Sequence, residues 1–295
     1  MRILALLAFI FSLNCYSQNN NLLALQDFEL VSGVKSICIS VYDSEESFGE
    51  PKLLNKKDFN SKNESIFFDT NGYIEKINRP SFFSERDSTG AVNCNSYFNV
   101  FSYQYDQNKK VKKIIKNDGG VYNPISGKKS ENSYREFFYN ETNEVIRIDH
   151  INTLGKLEFS TRIKYSSNKK TEMTYDTNGK LLWGTKHSNN NLVDSLYEIN
   201  PSKKITSITV IEHNEKRLPI EERKFSTDGK LLLQWNHSYN AKNNLKKTTF
   251  IDFEDNEKKV TEYTYDYDSQ GNWIQKNEFI NNELKVSLIR RIKYY

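Results

Sequence analysis

Cysteine is scarce in this chain of 295 residues: Cys15, Cys38 and Cys94 are the only three. So few exclude a disulfide-rich scaffold, and with no local histidine partner Cys38 and Cys94 do not make a metal site. Long apolar runs are lacking too. The one candidate, Ile3 to Leu13, is shorter than the roughly 20 residues a spanning helix needs. Charge of one sign is also missing: 42 basic and 38 acidic residues give a net +4, spread along the chain. No polybasic patch stands out, which argues against nucleic acid and anionic membrane as partners. Convincing helical periodicity and helix-start signals are rare, and residues 19–30 are the one place where a short helical turn fits. No Gly-x-Ser-x-Gly, no phosphate-cradling glycine loop and no cysteine with a placed histidine appears, so no catalytic residue is assigned.

Arg2 followed by the apolar run and then by polar residues has the form of a secretory signal peptide. Small residues at Cys15 and Ser17 place cleavage after Ser17. Residues 1–17 are therefore expected to be the signal peptide, and 18–295 a single β-repeat domain. The alternative is a lipid anchor at Cys15, which Asn14 before it and Ser12 disfavour. Export would allow a disulfide between Cys38 and Cys94, worth about 4 kcal/mol for a loop of that length.

Aromatic residues are what the chain does have. Mean hydropathy is −0.74, which would suit disorder, but tyrosine and phenylalanine number 18 each, and disordered chains are poor in both. Polar residues alternating with aromatic ones suit a sheet with wetted surfaces. A unit recurs: an aromatic, a short polar turn, then an alternating strand. Its clearest copies are Phe68-Asp69-Thr70-Asn71-Gly72-Tyr73-Ile74, Tyr175-Asp176-Thr177-Asn178-Gly179-Lys180-Leu181, Phe225-Ser226-Thr227-Asp228-Gly229-Lys230-Leu231 and Tyr267-Asp268-Ser269-Gln270-Gly271-Asn272-Trp273. Copies without glycine begin at Tyr105, Tyr139 and Tyr239.

In each copy Asp or Asn can accept backbone hydrogen bonds at the turn start, and Gly or Asn three residues on adopts positive φ cheaply. That predicts hairpins with loops of about three to five residues. Turn signals near 165, 175, 188, 198, 214, 226, 240, 254, 268 and 281 predict a meander. Asp43–Asn63 and Pro80–Ser96 carry prolines and little alternation, and read as loops. The fold class expected is all-β: antiparallel hairpin repeats stacked into an elongated twisted sheet.

The unit Tyr-Asp-x-x-Gly-Asn/Lys-Leu/Trp resembles the YD repeat of Rhs-like bacterial proteins, over most of residues 65–295. The segment from Tyr263 to Ile274 also looks like a C-terminal pattern in exported proteins of Bacteroidetes-type bacteria. The resemblance implies a hairpin scaffold in a bacterial envelope (periplasm, cell surface or outside the cell) and no specific activity. The chain is far shorter than the large Rhs toxins with their closed shell, and with Arg290-Arg291-Ile292-Lys293-Tyr294-Tyr295 still in the repeat pattern no toxin domain is expected.

Four histidines, His150, His187, His213 and His237, are the first candidates for acid–base or metal chemistry. None has the His-x-His or His-Glu-x-x-His spacing, so each reads as a strand-end residue. The turn carboxylates Asp69, Asp106, Asp176, Asp228 and Asp268 read as turn caps. Asp266-Tyr267-Asp268-Ser269-Gln270-Gly271 starts like a calcium loop, but Asn277 stands where its twelfth-position Glu belongs. Trp183, Trp235 and Trp273 follow turn glycines at even offsets, which places them on one face. Apolar company says core; the functional alternative is an aromatic platform for sugar rings. The function expected is a non-enzymatic exported binding or scaffold protein with a protein or glycan partner, without cofactor or metal. The alternative is a glycan-binding module using those tryptophans.

Overall fold

The computed structural model describes residues 30, 33–47, 50–55, 64–86, 92–117, 122–123, 128–129 and 132–295. The expected signal peptide, Cys15 and residues 19–29 lie outside them. The strands are Val34–Ser47 (β1), Glu50–Asn55 (β2), Glu64–Phe68 (β3), Ile74–Arg86 (β4), Val92–Tyr105 (β5), Val111–Asn117 (β6), Tyr122–Asn123 (β7) and Lys128–Lys129 (β8). There follow Ser133–Tyr139 (β9), Val145–Ile151 (β10), Leu157–Ser166 (β11), Lys169–Asp176 (β12), Leu181–Asn190 (β13), Val193–Ile199 (β14) and Ile205–His213 (β15). The last are Pro219–Phe225 (β16), Leu231–Tyr239 (β17), Leu245–Asp252 (β18), Glu257–Tyr267 (β19), Trp273–Ile280 (β20) and Glu283–Tyr294 (β21).

Local turn chemistry sets the hairpins. Asp176 Oδ1 accepts from the backbone N–H groups of Asn178 (2.9 Å) and Lys180 (2.8 Å), and Gly179 takes φ +80°. Asp69, Asp106, Asn200, Asn240 and Asp268 repeat this cap, and Asn140 accepts from the Glu144 N–H and the Thr142 hydroxyl. Where glycine is missing, Lys109, Asn143 and Asn243 hold positive φ in its place. These are type I turns closed by a bulge, the three-residue hairpin loop.

Apart from the small β7–β8 pair, the strands form one antiparallel sheet in which successive strands pair in chain order. That sheet is not open. β1 pairs with β21 along one edge, from Val34↔Tyr294 to Asp43↔Val286, and with β3 along the other, from Ser36↔Phe67 to Ile39↔Glu64. The remainder of β1 folds back on β2. The result is a closed barrel of 18 strands, β1, β3–β6 and β9–β21, with β2 beside β1. The expected elongated open sheet is thereby corrected. An open meander leaves two unpaired edges, and closure satisfies both with one ladder.

The two stretches expected as loops are corrected as well. Asp43–Ser47 and Glu50–Asn55 form a hairpin, and Pro80 lies inside β4, paired with Phe98 of β5. Proline is tolerated where a strand lacks a second partner. β4 has β3 beside it only as far as Asn78, and Pro51 sits on β2, which pairs with β1 alone among the described residues. Residues 56–63 and 87–91 lie outside the described set.

The main apolar cluster sits at the seam. Leu30, Val34, Ile37, Ile66, Phe68, Ile74 and Ile77 are buried there, with Ile39, Phe101, Tyr103, Ile292 and Tyr294 packed against them. Burial of this kind, at about 25 cal/mol per Å² of apolar surface, holds the closing ladder shut.

Candidate functional site

Register sorts the wall into two faces. Ile37, Ile66, Thr174, Ser207, Ile211, Glu222 and Thr261 all fall on one of them, and all are buried. Side chains converge inside a closed sheet and diverge outside it, so this is the inner face.

A row of phenols stitches one rim of that face. Tyr105 Oη donates to the Ile74 carbonyl (2.5 Å), Tyr139 to Val111 (2.6 Å), Tyr165 to Val145 (3.1 Å), Tyr239 to Pro219 (2.7 Å) and Tyr265 to Leu245 (2.8 Å). Each spans from one hairpin to the start of the strand beside it. Three of the residues whose carbonyls accept, Ile74, Val111 and Val145, are buried. Burial pushes the Tyr105 phenol up and lifts Tyr165 to about 12, with Glu144 and Glu172 adding to the latter. Tyr105 and Tyr165 are therefore neutral donors at physiological pH. At Tyr105, Tyr139 and Tyr239 the residue that opens the repeat thus ties hairpins together, a role that the turn reading alone did not assign. The available signal was a tyrosine directly before the turn residue at Asp106, Asn140 and Asn240.

All four histidines face inward, but on separate strands with separate partners. His213 takes a phenol's place in the row, with Nδ1 3.2 Å from the Leu192 carbonyl and Nε2 3.7 Å from Asp194 Oδ2. His237 contacts Thr248 Oγ1 (3.1 Å) and Glu222 Oε1 (3.4 Å). His187 meets Thr185 Oγ1 at 3.2 Å; burial lowers its pKa, and Glu172 opposes that. His150 lies 4.0 Å from the Phe159 ring, stacked, and burial with Arg135 nearby lowers its pKa to about 4 against Asp149. No group of three His, Cys, Asp or Glu side chains suited to a metal occurs among the described residues.

The tryptophans share the inner face but not one environment. Trp273 is 4% exposed, with the Arg290 guanidinium 3.3 Å over its ring and Tyr265 edge-on at 6.2 Å. Trp235 packs on Phe250 at 5.3 Å. Trp183 is 49% exposed and meets Phe159 edge-on at 5.8 Å, which extends the stack begun by His150. The structure therefore brings His150, Phe159 and Trp183 into one aromatic row and keeps Trp235 and Trp273 apart from it.

Cys38 carries a free thiol, so the disulfide with Cys94 that export would allow is not formed in this structure. Cys38 lies level with Ser65, Asn78 and Val100, whereas Cys94 sits six residues further along β5. At about 3.3 Å per residue that separates them by roughly 20 Å, against a disulfide reach of about 7 Å between Cα atoms.

No family model matches the chain, and no curated protein matches it. Among solved structures it is similar to a porin-like protein from Bacteroides uniformis, at 10% identity and TM-score 0.45, over 89% of this chain and 97% of that one. A porin-like protein from Bacteroides vulgatus shows 13% identity and TM-score 0.31, over 87% and 97%. A TcdB2–TccC3 structure shows 10% identity and TM-score 0.25 over 93% of this chain, which spans 16% of that one. At such TM-scores these likenesses carry no conclusion about function.

Proposed function

We propose that the chain is an exported, envelope-associated barrel of the YD-repeat type that binds or scaffolds and performs no chemistry. The observation that carries this reading is the placement of charge on both sides of the wall. Inside, Lys170 pairs with Glu172 (2.5 Å) and Lys224 with Glu198 (3.3 Å). Outside, Arg147 pairs with Asp149 (3.3 Å) and Lys247 with Glu262 (2.8 Å). A lipid-spanning barrel needs an outward apolar band about 25 Å tall, and this wall suits water on both faces instead. The histidines support the non-catalytic part, because each is held by its own local partners.

The test is expression of the full chain with its leader in a bacterial host, followed by fractionation of wild type and Cys15→Ser. The Cys15→Ser protein is expected in the aqueous envelope or culture fraction without detergent. Retention in the cytoplasm, or extraction of that variant by detergent alone, would overturn the reading. So would a hydrolytic activity abolished by Glu222→Gln or His237→Gln in folded protein.

The second reading, a glycan-binding module, is favoured by the row His150–Phe159–Trp183, whose last ring is half exposed. Sugar rings stack on such faces. It predicts that a glycan which binds shifts tryptophan emission in wild type and in Trp235→Phe but not in Trp183→Phe. A shift that survives Trp183→Phe would exclude this row as the platform.

A further inference from the structure

The net charge is small, yet the strand register gathers cations on the outer face of β10–β13. Four rows run across these strands: Asp149–Ser160–Tyr175, Arg147–Arg162–Met173–Gly184, Lys164–Thr171–Lys186 and Ser166–Lys169–Ser188. They hold five cations, Arg147, Arg162, Lys164, Lys169 and Lys186, all exposed, against one carboxylate, Asp149. Arg147 and Arg162 are directly opposed, a like-charge cross-strand pair that costs stability. The residues between the cations are mostly small. Met173 lies flat against Gly184, where a Cβ would stand 2.3 Å from its sulfur.

The aromatic rings at this surface are already capped. Arg147 sits 3.8 Å over Phe138, Arg162 5.2 Å over Tyr175, and, beyond the patch, Lys113 of β6 3.3 Å over Tyr134 of β9. Such contacts brace the cations above the sheet. Guanidinium groups thus cover the Phe138 and Tyr175 rings, which disfavours base stacking on them. The surface therefore offers spaced positive charge on a low, flat wall.

We infer that the outer face of β10–β13 docks a linear polyanionic polysaccharide, read through its sulfate, phosphate or carboxylate groups. This face lies across the wall from the Trp183 row, so the two sites stand or fall separately.

The test measures binding of the mature protein to heparin, as a sulfated polysaccharide probe, beside uncharged dextran. Heparin is expected to bind and dextran not to, with affinity falling steeply as salt rises from about 0.05 to 0.2 M. Arg162→Glu with Lys186→Glu is expected to weaken heparin binding about tenfold or more, since charge supplies the affinity. Lys246→Glu with Lys258→Glu changes net charge equally away from the patch and is expected to leave binding within about twofold. Melting of both double variants confirms their folding. Equal losses in the two variants would overturn the inference, as would absence of heparin binding. Tighter binding to single-stranded oligo(dT) or to phosphatidylglycerol vesicles than to heparin would also overturn it.

Discussion

The phenol of Tyr295 donates to the carbonyl of Phe68 at 2.6 Å, joining residues 227 positions apart in the chain. The Tyr295 backbone N–H meets the Gly33 carbonyl at 3.1 Å, so the end of β21 reaches across β1 onto β3. Beside it, Tyr294 donates to the Asp268 carboxylate and accepts from Asn272 Nδ2 at 2.8 Å. These two tyrosines clasp the ring where its first and last strands meet. Removing both is expected to lower the urea midpoint and to raise amide exchange in β1 and β21 before β10–β17. Uniform exchange along the chain would show that the clasp has no local role.

The same bond recurs within the wall. Tyr105→Phe keeps the ring and removes only the 2.5 Å bond to the Ile74 carbonyl. A loss of about 1 kcal/mol in urea unfolding is expected. Tyr105→Leu, which also removes the ring, is expected to cost more. Equal losses would mean that the ring, not the hydroxyl, holds the rim.

Gly184 sits where Met173 crosses the outer face, and an added Cβ would lie 2.3 Å from Met173 Sδ and 2.8 Å from the Glu172 carbonyl oxygen. Gly184→Ala is expected to destabilise by about 1–3 kcal/mol. Adding Met173→Ala should recover part of that, because the sulfur moves away while the backbone oxygen stays. Full recovery, or none, in thermal melts would contradict this division of the clash.

Some of this architecture was readable from the sequence and some was not, for physical reasons. The hairpins at Asp69, Asp176 and Asp268 were legible because cap and positive-φ residue lie within a few positions of each other. Closure was not, since the β1–β21 ladder joins the two ends of the chain and no short pattern encodes it. Pro80 and Pro51 misled because proline's penalty vanishes where a strand has a single neighbour. The carbonyls that receive the tyrosines have no side-chain signature, so the repeat showed its turn but not its stitch. The Arg147–Arg162 patch was hidden by averaging: charges spaced along the chain become adjacent only through register. The shared inner face of the tryptophans was visible as alternation, whereas the exposure of Trp183 beside buried Trp273 depends on what crosses each ring.

His150 makes stability depend on pH. Its pKa falls from 6.5 to about 4, first through burial and then through Arg135, with Asp149 opposing. Between those values the unfolded chain binds a proton that the folded chain refuses, so its contribution is full above pH 6.5 and lost as pH falls towards 4. The urea midpoint should decline through that window in wild type, and less steeply in His150→Gln. Parallel curves for the two proteins would show that other groups set the acid response.

Tryptophan quenching separates the two environments that the inner face provides. Trp183 is half exposed, and Trp273 lies beneath the Arg290 guanidinium at 3.3 Å. A neutral quencher such as acrylamide should therefore reach part of the wild-type emission, and Trp183→Phe should remove most of that part. Trp273→Phe should leave the quenchable part in place and remove protected emission. Solvent has to enter the barrel to reach Trp183 on the concave side. A quenchable fraction unchanged by Trp183→Phe would mean that the interior near β13 is closed to small molecules, and the aromatic row could then bind nothing from solution.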